Sequence, residues 1–200
     1  MTVYTTRWRD QIRPGVQASA DVIVPLLAGR YQPASVVDVG CGEGWWCRRF
    51  EQAGVGRVVG VDGPWVAADV TVDLDRPPYP NLGRFDLAVC LEVAEHVAAS
   101  HADRLVAWLV SLAPIVVFSA AVPGQGGEGH VNEQPPGYWA GLFATHGYGG
   151  SGALRQAIWD DDRVSWWYRQ NLLVFGDPDL PADGCPHVLH PQMLTWRRRR

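Results

Sequence analysis

The stretch Val36-Val37-Asp38-Val39-Gly40-Cys41-Gly42-Glu43-Gly44-Trp45-Trp46 constrains this chain more than any other. A β-branched run enters a glycine-rich turn, and the turn enters a helical pattern through Trp46, Phe50 and Ala53, so the segment reads as strand, tight loop and helix. In an open α/β sheet such a loop stands at the carboxyl edge of a strand, with the amides of the next helix facing a ligand. Gly40 and Gly42 lack a Cβ and tolerate positive φ, which lets the backbone approach something bulky. A phosphate-cradling P-loop needs Gly-Lys-Ser/Thr after its last glycine. Here Gly44 is followed by Trp45 and Trp46, with no lysine near. The dinucleotide fingerprint is also disfavoured, because Trp45 stands where its third glycine must let helix and strand pack closely.

Asp38 within the strand, with glycines at 40, 42 and 44, resembles the first motif of class I S-adenosylmethionine-dependent methyltransferases. The resemblance implies a loop around the methionine end of the cofactor, formed by Asp38, Gly40, Cys41, Gly42 and Trp45. A second buried strand ends in Asp62, twenty residues beyond Gly42, the separation at which a carboxylate meets ribose hydroxyls. Asp62 and Gly63 are assigned to the cofactor; a turn or helix-cap aspartate before Gly63-Pro64 is the alternative. Residues 69–74 form a short third strand, and its end at Asp73 and Leu74 resembles the family's adenine corner.

A fourth strand at 85–90 runs into Leu91-Glu92-Val93-Ala94-Glu95-His96-Val97. This turn is similar to one in many small-molecule methyltransferases, where the first residues take the cofactor's ammonium through carbonyls and a histidine stands near the methyl group. The resemblance assigns Leu91 and Glu92 to the cofactor and His96 to the active site, with a capping or core role for His96 left open. Pro77-Pro78-Tyr79 precedes that strand instead of following it, so it is a linker turn and methylation of a DNA base amine loses support.

Residues 103–112 are amphipathic, and Ile115 to Ser119 form a fifth buried strand. The glycine-rich loop 124–134 carries His130, Asn132 and Glu133 ahead of a helix at 138–143. His130 suits a general base at neutral pH. Two other readings stay open: loop polar groups, or His130 with Glu133 on a divalent ion, a weak ligand set. No metal site is assigned. Residues 147–158 and 171–176 fit the family's terminal hairpin, and Trp45, Trp46, Trp65, Trp139, Trp166 and Trp167 flank the expected cleft. A helix is expected to open at Pro14, bend at Pro25 and end by Gly29, and the resemblance implies that it covers one side of the cleft.

Two hundred residues, 47% apolar and 19% charged, suit one globular domain without a membrane span. The four cysteines form neither a C-x-x-C pair nor a His/Cys cluster, so zinc is not expected and free thiols suit a cytoplasmic protein. A net charge of −4 argues against nucleic acid, residues 197–200 (four arginines) reading as a solvated tail. The expected architecture is α/β, doubly wound, a mostly parallel seven-stranded sheet with helices on both faces and an antiparallel C-terminal strand. It comprises a methyltransferase domain at 1–176 and an irregular tail at 177–200. The expected activity is methyl transfer from S-adenosylmethionine to an oxygen, nitrogen or carbon of a small molecule, such as a natural-product intermediate. A protein or RNA acceptor and a non-catalytic cofactor-binding subunit are the alternatives.

Overall fold

The computed structural model describes residues 6–183 and 185–197. Of the terminal arginines, 198–200 lie outside the described residues, as do residues 1–5. Among the described residues, no helix is long and apolar enough to cross a membrane.

β-Branched runs become the central strands: β1 (Ser35–Val39), β2 (Arg57–Asp62), β4 (Leu87–Leu91) and β5 (Ile115–Ser119), with β3 (Val70–Thr71) at one edge. With β6 (Gly150–Ser151) and β7 (Leu173–Phe175) they form one seven-stranded sheet in the order β3-β2-β1-β4-β5-β7-β6. β7 runs antiparallel to both β5 and β6, and the other pairings are parallel. The expected fold class is the one found.

Side-chain alternation along buried strands sends residues to two cores. Val37, Val39, Ala88, Cys90 and Phe118 meet α3 (Ala102–Leu112) and α4 (Pro136–Thr145) through Leu105, Leu109, Trp139 and Phe143. Val36, Leu87 and Val89 meet α1 (Thr6–Tyr31) and α2 (Trp45–Gln52) through Ile23, Leu27 and Phe50.

Three elements differ from the sequence expectation. Helix α1 runs through Pro14 and Gly29 to Tyr31, because burial of Ala20, Ile23, Val24 and Leu27 against the sheet outweighs local breakers. Trp139 is 1% exposed beside Phe118, so it fills the core and not the cleft. The expected strand at 147–158 shrinks to β6, followed by α5 (Ala153–Ala157), and α6 (Trp166–Asn171) interrupts the tryptophan-rich connection.

The region beyond Gly176 is not wholly irregular. It ends in α7 (Pro191–Arg197), and Cys185, His190 and Met193 are buried. Its amide at His190 donates to Gln170 Oε1 at 2.9 Å, and the buried Arg155 donates to the carbonyl of Pro186 at 3.1 Å.

Candidate functional site

Strand order reverses between β1 and β4, and a cleft of about 300 Å³ opens at their carboxyl ends. This is where an open α/β sheet binds ligands, and the size is that of a small-molecule site. Its floor is the glycine loop. The Gly40 and Cys41 amides both donate to the carbonyl of Val61, at 2.7 and 3.1 Å, which pins the turn to the end of β2. Gly40 has φ +83°, and a Cβ there would fall 2.2 Å from a Val93 methyl. Its bulky neighbour is therefore the chain itself. Gly42, at φ +55°, has no atom within 4 Å of where a Cβ would sit, so its bare backbone faces the cleft.

Asp62 closes this loop as much as it faces the cavity. One carboxylate oxygen accepts from the Gly42 amide at 2.7 Å; the other accepts from the Gly63 amide at 2.6 Å and the Trp65 indole at 2.8 Å. Asp38 also lines the cleft, 2% exposed. Burial, with the Asp62 charge adding, pushes its carboxyl up to about 7 against the Cys47 thiol that donates to it at 3.4 Å.

Cys41, Trp45, Leu74, Leu91 and Glu92 also reach the cleft. Asp73 and Gly63 do not line it. The Asp73 carboxylate turns onto the Asp75 amide at 3.0 Å and Arg76 at 3.3 Å, its own corner supplying its partners. Glu92 has φ +56° and a partly buried side chain that accepts from Asn171 Nδ2 and Gln125 Nε2, each at 3.0 Å. Burial raises it to about 7. Asn171 and Gln125 were invisible to motif reading, since neither stands in a pattern.

The opposite end gathers side chains from the turn after β4 and the loop after β5. His96, Glu95 and His130 all line the cleft, and the two imidazoles stand edge to face with centroids 4.8 Å apart. The Glu95 carbonyl accepts from the Val131 and Asn132 amides, both at 2.9 Å, which fixes the loop carrying His130 to the turn carrying His96. Burial, with His130 adding, lowers His96 to about 4, so it is neutral at pH 7. Burial opposes the Glu133 carboxylate, yet the His130 ring and the Gly124 and Gly126 amides hold it below the usual range. Glu95, given no role by its sequence, is fully buried with neither oxygen in a hydrogen bond. The i, i+3, i+4 spacing of Glu92, Glu95 and His96 was the available signal.

The rim is aromatic and charged. Trp45, Trp46, Trp65, Trp166 and Trp167 line it, while α1 contributes Ile12, Arg13 and Val16. Arg13 grips Glu43 of the glycine loop with two parallel bonds of 2.8 Å.

A family model described as a methyltransferase domain matches residues 10–150. No curated protein matches the sequence. Several solved structures share the fold. Magnesium protoporphyrin IX methyltransferase from Synechocystis PCC 6803, with bound SAH, is 17% identical at TM-score 0.55, covering 88% of this chain and 89% of its own. CalS10, an amino pentose methyltransferase from Micromonospora echinaspora, is 17% identical at TM-score 0.56, covering 88% and 98%. The small RNA methyltransferase HEN1 is 16% identical at TM-score 0.55 over 90% of this chain, which spans only 26% of that protein.

Proposed function

The chain belongs to the methyltransferase-domain family, and from that premise we propose that it methylates a small molecule with S-adenosylmethionine as donor. The cradle at Gly42 carries this reading: it is bare backbone with room for a ligand, at the carboxyl edge of β1, opposite a carboxylate. When bound, the cofactor supplies an electrophilic methyl group on a sulfonium.

The rest is done by the chain. Gly42 and Cys41 receive the amino-acid end, and Asp38 offers negative charge beneath it. Asp62 accepts a ribose hydroxyl in competition with the Trp65 indole that now donates to it. Leu74 meets the base through its apolar side chain, and Leu91 and Glu92 bound the cofactor on the β4 side. Trp166, Trp167 and α1 enclose the acceptor end, where His96 and His130 stand. Most of the rate enhancement comes from holding acceptor and methyl at attack distance, an effect worth up to ~7–11 kcal/mol. The aromatic lining of the cleft, with α1 across its mouth, supports a small acceptor over a macromolecular one. The chain-length match with two enzymes whose names carry small-molecule substrates points the same way.

Thermal unfolding with added ligand tests the reading. S-adenosylhomocysteine is expected to raise the melting temperature and NADH to leave it unchanged; the reverse would reassign the loop to a nicotinamide. Asp62→Ala should weaken S-adenosylhomocysteine more than about tenfold in calorimetry, because a charged acceptor and the closed loop are lost together. Unchanged affinity would remove Asp62 from the cofactor.

A further inference from the structure

We infer that Glu95, His96 and His130 form a binding site for one divalent transition-metal ion at the acceptor end of the cleft. Their three potential ligand atoms lie within 4.8 Å of one another, with Glu95 Oε1 4.0 Å from His130 Nε2. An ion at about 2.1 Å from each would draw them in by roughly 1 Å, within the reach of side-chain torsions.

Three independent features point to an ion. The first is Glu95, fully buried, with no hydrogen-bond donor on either oxygen. An unpaired buried carboxyl is costly, and native structures keep such groups for a reason. The backbone amides of Glu95 and Ala121 lie near the carboxyl without completing a hydrogen bond to it.

The second is the outer support of both histidines. His96 Nδ1 lies 3.2 Å from the Gly129 carbonyl, which must be met by an N–H, so its Nε2 carries the lone pair. His130 Nδ1 lies 2.8 Å from Glu133 Oε1, which sends its Nε2 toward Glu95. A ligating imidazole donates its other N–H to a carbonyl or carboxylate, and both forms are present here. Glu133, anchored by the amides of Gly124 and Gly126 at 2.6 and 2.7 Å, is that second-layer carboxylate and not a ligand. The third is rigidity: the Glu95 carbonyl clamps Val131 and Asn132, so the two ligand-bearing segments are joined by backbone.

Two imidazoles and one carboxylate favour Mn²⁺, Co²⁺ or Zn²⁺ over the all-oxygen preference of Mg²⁺ or Ca²⁺. Three protein ligands leave open positions, and these residues line the cleft. An acceptor hydroxyl suits such an open position, and on that ground we take the methylated atom to be oxygen. That second statement rests on the methyl-transfer reading; ion binding does not. The site also revises the sequence expectation of no metal, which considered the pair His130 and Glu133 and missed Glu95.

Paramagnetic resonance of Mn²⁺ added to the chelator-stripped full chain tests the site, Mn²⁺ being a poor partner for the cysteine thiols. One bound ion per chain is expected. Glu95→Gln and His130→Gln should each weaken it at least about tenfold, consistent with loss of one of three ligands. S-adenosylhomocysteine affinity, read on the same samples, should survive both changes and certify their folding. No stoichiometric binding by the wild type, or unchanged binding in His130→Gln, would overturn the site. Ion binding without S-adenosylhomocysteine binding would instead overturn the methyl-transfer reading and leave the site standing. If Mn²⁺ binds, a panel of hydroxyl and amine acceptors separates the second statement: methylation of amines alone would sink it.

Discussion

Gly40 and Gly42 look alike in sequence, and both have positive φ, yet the space around them differs. A methyl at Gly40 meets Val93 at 2.2 Å, while one at Gly42 meets nothing. Gly40→Ala should therefore unfold the loop, whereas Gly42→Ala costs only the left-handed backbone, about 1 kcal/mol, and blocks the ligand. Urea unfolding of both variants, with S-adenosylhomocysteine calorimetry of Gly42→Ala, checks this; equal destabilisation would refute it. Asp38 gives a pH prediction. Its carboxyl is raised to about 7 in the folded chain, so between pH ~4 and ~7 the folded state holds a proton that the unfolded state has released. Stability from this group therefore falls as pH rises through that window and stays reduced above it. Asp38→Asn removes the loss, and its gain over wild type should grow by about 2 kcal/mol from pH 5 to pH 8 in ligand-free melts. A constant difference would mean that Asp38 titrates normally. The sequence placed Asp38 and Asp62 in the site, since strand ends and spacing are local. It did not reveal Glu95 or Asn171, whose partners come from segments 35 or more residues distant or from burial alone.

Elements were legible where burial and pattern agree. Residues 115–119 are a run of apolar and β-branched side chains between two α-helical segments, and they form β5 as expected. Reading failed where tertiary packing overrode local signals, as in α1, which starts before Pro14 and runs past Gly29 to Tyr31. That continuity matters, because Arg13 lies just ahead of the first proline and reaches Glu43. Helix α1 is thereby tied to the glycine loop across the cleft mouth. The pair is partly exposed, so its effect belongs to ligand access more than to folding. Arg13→Ala should leave the melting temperature within about 1 °C and speed S-adenosylhomocysteine dissociation by roughly 2–5 times, on the scale of one exposed ion pair. Stopped-flow tryptophan fluorescence reads the rate, and an unaltered rate would show that α1 does not gate the cleft.

At the scale of the molecule, the C-terminal segment completes the side of the sheet that carries Trp166 and Trp167 of the cleft wall. Nothing in its pattern announces this, for its anchors are single residues: Cys185 in the core beside Phe175 and Met193 against Trp166 and Val122. The polar anchors are equally sparse. Arg155, 2% exposed, donates to the carbonyls of Gln170 and Pro186, Arg169 donates to Gln192, and Asp177 takes both Arg30 and Tyr31. We propose that the functional unit extends past Gly176 for this reason. A chain ended there would leave Arg155 buried with one carbonyl fewer and without the nearby Asp183 charge. Trp166 and Trp167, set on α6 beneath α7, would lose their backing. The shortened chain should therefore melt well below the full one and lose affinity for the acceptor more than for S-adenosylhomocysteine, whose proposed contacts lie at the ends of β1, β2 and β4. If the urea midpoint of residues 1–176 equals that of the full chain, the terminal segment is an appendage and the acceptor wall stands without it.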